Sequence, residues 1–217
     1  MSFQDLVTSS KKYFPDLDIQ YKDQSKFMKV LGTILFFNKT FMTSYTTTIG
    51  STVYFPNETF VRIRPISGAV VLLHELVHID DAHKISKPLF GFLYLSPQVL
   101  FLLCLPLFLL SWKIALPLMV LFASPIPSFF RMYFEKRAYM TSLYSLNALG
   151  QRLNFDPKLD TQKEFFLKQF KGGAYYFMWP FSNLDKEFSQ AVDKIKAGQR
   201  PFDDKVFDTL DELITTV

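Results

Sequence analysis

The chain has three histidines, and two of them fall in the run His74-Glu75-Leu76-Val77-His78. On a helix, residues four apart lie one turn apart on one face, so both imidazoles can reach a single divalent ion. Glu75, beside the first of them, can take a proton from water at the ion's open position and later pass it to a leaving amine. The neighbours Val70, Val71, Leu73 and Val77 make the helix apolar and packed, so a glutamate in its middle needs a polar task. A buried helix whose histidines are merely hydrogen-bonded would carry the same letters.

Two histidines leave a catalytic zinc one protein ligand short, because such a site takes three and keeps the fourth place for water. The single cysteine, Cys104, sits inside an apolar block, and His83 follows His78 on the wrong face. Glu135 is the best candidate. It is the only acidic residue between Asp81 and Asp156, and it opens a helix that can pack against the first. The alternative for Glu135 is a solvated charge on a helix surface. Tyr139 lies one turn further along the same face; it can hydrogen-bond a metal-bound histidine, donate to a developing oxyanion, or simply pack.

The spacing His74-Glu75-x-x-His78, followed on a later helix by Glu135-x-x-Ala138, resembles the gluzincin metallopeptidases, whose third zinc ligand is a glutamate on a second helix. Many of those have Asp where this chain has Tyr139. The whole pattern is more similar to small, largely uncharacterised bacterial and phage gluzincin-like proteins. It runs from Thr46-Thr47-Thr48-Ile49-Gly50-Ser51-Thr52-Val53-Tyr54-Phe55-Pro56 through the His74 helix and an apolar segment. It continues with Phe130-Arg131, Glu135-Lys136-Arg137-Ala138-Tyr139 and Ala174-Tyr175-Tyr176-Phe177-Met178-Trp179-Pro180-Phe181, so that it spans residues 41–181. The resemblance implies a fold and a zinc site, and brings no substrate with it.

The elements that must position these residues follow from pattern. Residues 3–14 suit a short amphipathic helix ended by Pro15. Ser25 can cap a second, with Phe27, Val30, Leu31, Ile34 and Leu35 at helical spacing. Phe41 to Arg64 reads as β-like, with a Gly50 turn, a break at Pro56-Asn57 and alternation over Thr59–Ile63, giving a small antiparallel sheet. Ser67 can cap the histidine helix, which runs to about Lys84. Further helices are expected over Arg131–Leu153 and near residues 160–171, 183–197 and 203–215.

Between the two candidate metal helices lies the apolar block. From Pro88 to Trp112 there are 25 residues without a charge, then Lys113, then 17 more from Ile114 to Phe130. As helices these would span about 38 Å and about 26 Å, enough for a membrane hairpin. Lys84 and Lys87 at the entry and Arg131, Lys136 and Arg137 at the exit would place both ends in the cytoplasm by the positive-inside rule. Integral-membrane gluzincins related to prenyl-protein and heat-shock proteases look similar. Pro97, Pro106, Pro117, Pro125 and Pro127 interrupt the block, and Ser96 and Gln98 lie within it, so a broken helical pair covering a soluble core or meeting a partner protein is the alternative.

Composition narrows the rest. The chain has 217 residues with 49% apolar and 20% charged side chains, which excludes a disordered polypeptide and fits one domain. Its 24 Lys and Arg against 20 Asp and Glu form no basic block with interleaved aromatics, so nucleic acid is not expected as a partner. One cysteine excludes a disulfide framework. The amino-terminal residues lack the apolar core of a signal peptide, so secretion by that route is not expected, and the sequons at Asn38 and Asn57 are read as accidental.

The expectation is a single α+β domain over 1–217, mainly helical, with a small antiparallel sheet and residues 88–130 as an apolar helical hairpin. Its expected function is zinc-dependent hydrolysis of a peptide or protein substrate, with His74, His78 and Glu135 on Zn2+ and Glu75 as base. It would be membrane-associated, with the zinc site on the cytoplasmic side. The alternative is a non-enzymatic membrane- or virion-associated protein that keeps the metal as a structural clasp, with a cytoplasmic or virion location in place of the membrane, and a third reading is a soluble domain with no metal.

Overall fold

The computed structural model describes residues 3–36, 38, 40–172 and 178–216. Ala174 to Phe177, the first half of the late aromatic motif, and Lys39 of the first sequon lie outside the described residues. The fold is mainly helical with a small three-stranded sheet, as the pattern implies.

Helix α1 (Phe3–Tyr13) leads into strand β1 (Asp18–Tyr21), and α2 (Lys26–Ile34) is capped by Ser25, whose side chain accepts from the Met28 amide. Strands β2 (Thr47–Ile49) and β3 (Thr52–Phe55) form a tight hairpin. Ile49 pairs with Thr52, which leaves a two-residue turn whose first position, Gly50, has φ +64°. The sheet order is β1-β3-β2, with β1 parallel to β3, so the sheet is mixed rather than purely antiparallel.

The alternation over Thr59–Ile63 does not become a strand. It becomes α3 (Glu58–Ile63), because the Asn57 side chain accepts from the Phe60 amide at 2.8 Å and starts a helix there. Helix α4 (Pro65–Ile85) follows, with Pro65 in its first turn and Arg64 rather than Ser67 at the cap position.

Helix α4 is the axis of the molecule. Leu72, Leu73, Leu76, Val77 and Ile79 are fully buried against α1, β3 and the last helix, α10 (Val206–Thr215). A helix apolar nearly all round must be enclosed on every side. Its main partner is α7 (Phe129–Leu153), capped by Ser128, which also contributes to a second core with α8 (Leu159–Lys171) and α9 (Asn183–Lys196).

The segment between α4 and α7 differs from two long helices. It folds as α5 (Lys87–Leu95), two short 3₁₀ segments (Gln98–Cys104 and Pro106–Leu109) and α6 (Trp112–Ala123), which packs back on them. Among the described residues no single helix is long and apolar enough to cross a membrane, and the first arm bends by 96° between Leu95 and Gln98. Ser96-Pro97 removes an amide donor and turns the chain at that bend.

Candidate metal centre

Helix α4 presents His74 and His78 on one face, ring centroids 4.9 Å apart, and α7 brings Glu135 to them. One ligand atom from each of the three lies within 4.8 Å of the others. Glu135 Oε2 is 3.5 Å from His74 Nε2, and Glu135 Oε1 is 3.8 Å from His78 Nε2. All three side chains are buried, so the group expected from the sequence converges in the interior rather than on a helix surface.

A hydrogen-bond chain orients the His74 ring. Ser142 Oγ donates its one hydrogen to the Ala138 carbonyl at 3.0 Å. With that hydrogen on Ala138, the contact of 3.1 Å between Ser142 Oγ and His74 Nδ1 is one in which the imidazole donates through Nδ1–H. His74 Nε2 then faces Glu135, and it is the nitrogen a metal would take in place of a proton. The partner of Nδ1 is thus Ser142, one turn past Ala138. Tyr139 lays its ring against His74, centroids 4.8 Å apart, and against Phe166, centroids 4.5 Å apart.

Glu75 is held from the sheet. Thr48, on edge strand β2, donates its hydroxyl to Glu75 Oε2 at 2.8 Å. Lys22, fully buried just after β1, donates to the Phe41 carbonyl at 2.8 Å and sits 4.0 Å from the centre of the Phe41 ring. Burial lowers the Lys22 ammonium to about 8, while the Glu75 charge pulls it back up.

A fifth group comes from α5. The Tyr94 hydroxyl donates to Glu135 Oε1, its ring meets that of His78 in a T-shaped contact, and the Arg131 guanidinium lies over the Tyr94 ring at 4.9 Å. Neither Tyr94 nor Ser142 is marked by spacing in the sequence, because both reach the centre through packing between helices.

Electrostatics separates the ligands. Burial lowers His78 to about 4, more than the Glu135 charge recovers, so it is a neutral imidazole. Burial also works against charge on His74, but Glu135 and Glu75 outweigh it and raise that ring. Burial would raise Glu135, yet His74, His78 and the Tyr94 hydroxyl hold it down at about 2. Glu75 is raised, burial outweighing the opposing pull of His74 and Thr48. The centre therefore holds an ionised carboxylate facing imidazole nitrogens. His78 Nδ1 and Glu135 Oε2 are buried with no hydrogen-bond partner. The unpartnered Glu135 Oε2, facing His74 Nε2, leaves a buried acceptor for a cation, and a donor set of two imidazoles and a carboxylate fits a divalent metal ion.

Register between α4 and α7 is set by a charge cluster beside the centre. Arg137, two residues past Glu135, reaches Asp80 at 2.7 Å and Asp204 at 2.8 Å, and also pairs with Asp81. Three carboxylates compete for one guanidinium, and burial leaves the Asp81 carboxyl raised to about 7.

Comparison with models of protein families, with curated proteins and with solved structures finds no match.

Proposed function

We propose that the chain is a zinc-dependent metallopeptidase. The observation that carries this reading is the convergence of His74, His78 and Glu135 within 4.8 Å, with a separately held glutamate beside them. Bound at these three residues, zinc would acidify a water molecule and polarise a scissile carbonyl. Glu75 would take the proton of the attacking water and return it to the departing amine, and its burial-raised carboxyl suits both halves of that transfer. Thr48 would keep Glu75 in place. Ser142 would keep the His74 lone pair directed at the metal position, and Tyr94 would orient Glu135.

A second reading has one observation in its favour. The Tyr94 oxygen stands beside Glu135, where it could close the fourth coordination place and leave a structural clasp. Glu75→Gln separates the two. The peptidase reading expects a variant with wild-type zinc content and no cleavage of an unstructured protein such as casein. Absence of cleavage by the metal-loaded wild type, or cleavage retained in Glu75→Gln, would overturn it.

A further inference from the structure

We propose that the hairpin formed by the 3₁₀ segments and α6 docks on an anionic lipid surface, lying within one leaflet rather than crossing the bilayer. Its packing is inverted relative to a water-soluble domain. Between Gln98 and Ala123 the buried side chains are the small Cys104 and Ala115, at the seam of the two arms. The large ones point out: Leu102, Leu103 and Leu105 on the first arm, and Trp112, Ile114 and Leu116 on the second. Small residues inside and large apolar ones outside is how helices pair in lipid.

The exposure also says which kind of partner fits. Along α6, the exposed apolar residues from Trp112 to Leu121 cover about 200° of the helix circumference at 3.6 residues per turn. The opposite arm is open as well, and the tip residues Leu109 and Leu110 are 90% and 83% exposed. A protein groove covers one face of a hairpin, whereas lipid surrounds it. Charge agrees, since residues 82–134 contain no Asp or Glu and Lys113 lies on α6 itself, while Lys84 and Lys87 at the base are paired with Asp80, Asp204 and Asp16. An anionic surface meets no repulsion there.

Polar groups mark the depth. Gln98 Nε2 donates to the Ile126 carbonyl at 3.0 Å and the Ser128 hydroxyl donates to the Ser96 carbonyl, so the polar residues inside the apolar block tie its two feet together at the base. The 12 residues of α6 reach about 18 Å, short of the roughly 30 Å hydrocarbon core. Lys113 lies near the tip, where an upright hairpin would bury it in the middle of the bilayer. Lying along the headgroup boundary, it can extend its stem and keep its ammonium among phosphates.

The full chain should be sedimented with phosphatidylcholine vesicles with and without phosphatidylglycerol. The expected result is binding that tightens with phosphatidylglycerol, and at least a ~10-fold loss for the Leu109→Glu/Leu110→Glu double variant. Both substitutions fall on the exposed tip, so circular dichroism and metal content should match wild type. In Trp179→Phe, which leaves Trp112 as the single tryptophan, lipids brominated near the headgroup should quench more than lipids brominated near the acyl end. A wild type that stays in the supernatant, equal binding by the double variant, strongest quenching at the bilayer centre, or a lipid-free dimer dissolved by the double variant would each overturn the proposal. None of these readouts depends on peptidase activity.

Discussion

Around His74 the side chains that ordinarily face water are inside: two imidazoles, three carboxylates of α4 and α7 and a lysine are all buried. At the tip of the hairpin the side chains that ordinarily hide are outside. Both regions break the same rule, in opposite directions. The first is stabilised by mutual hydrogen bonds and ion pairs, which single out a point where charge is wanted. The second has no such compensation among the described residues, and the lipid surface proposed for it would supply one. Helix α5 joins them. Phe90 and Tyr94 lie against His78 of the candidate metal centre, while Leu89, Phe92 and Leu95 face outward.

If the two regions are chemically independent, a variant in one should leave the other's readout unchanged. The largest expected effect is Glu75→Gln, which should lower hydrolysis by roughly 10²–10⁴-fold, as loss of a general base does, with vesicle binding intact. The converse is Leu109→Glu/Leu110→Glu, at least ~10-fold weaker on vesicles yet fully loaded with metal. Loss of zinc in that double variant would show that the hairpin shapes the centre and would break the comparison. Ser142→Ala removes the hydrogen-bond partner of His74 Nδ1. It should weaken zinc binding about 10- to 100-fold in a chelator competition, without altering the helical content.

The smallest effect concerns the charge cluster that holds α7 on α4. Asp81 is raised to about 7 in the folded chain from an ordinary 3.8, so the folded state keeps a proton that the unfolded state releases. Its contribution to stability therefore declines as pH rises from about 4 to about 7, and stays reduced above that. Asp81→Asn keeps an oxygen acceptor for Arg137 and removes the penalty. The variant should melt a few degrees above wild type near pH 8, a gain on the order of 1 kcal/mol that vanishes towards pH 4. A difference that grows on acidification would contradict this assignment.

Much of this was legible in one dimension. Helical spacing brings His74 and His78 together, and elimination among the acids leads to Glu135, because a metal centre draws on residue types that are scarce in apolar helices. The supporting shell was not legible. Ser142, Tyr94 and Thr48 are common residue types, and their importance arises from the crossing of α4 with α7, from the bend after α5 and from the edge position of β2. Tyr139 shares a helical face with Glu135, yet that face meets His74 through a ring, while the hydroxyl of Ser142 takes the nitrogen. Local chemistry also overrode alternation at Thr59–Ile63, where the Asn57 cap made a helix. On α2 the periodic stripe correctly marks a helix, but Phe27, Val30 and Ile34 are exposed, since periodicity gives a face and not the side on which the core lies.

The most direct test is metal analysis of wild-type protein purified without chelator, beside His78→Ala and Glu135→Gln variants shown to be folded by circular dichroism. Convergence of the three ligands predicts about one zinc per wild-type chain and far less in either variant. Equal zinc in all three would contradict it.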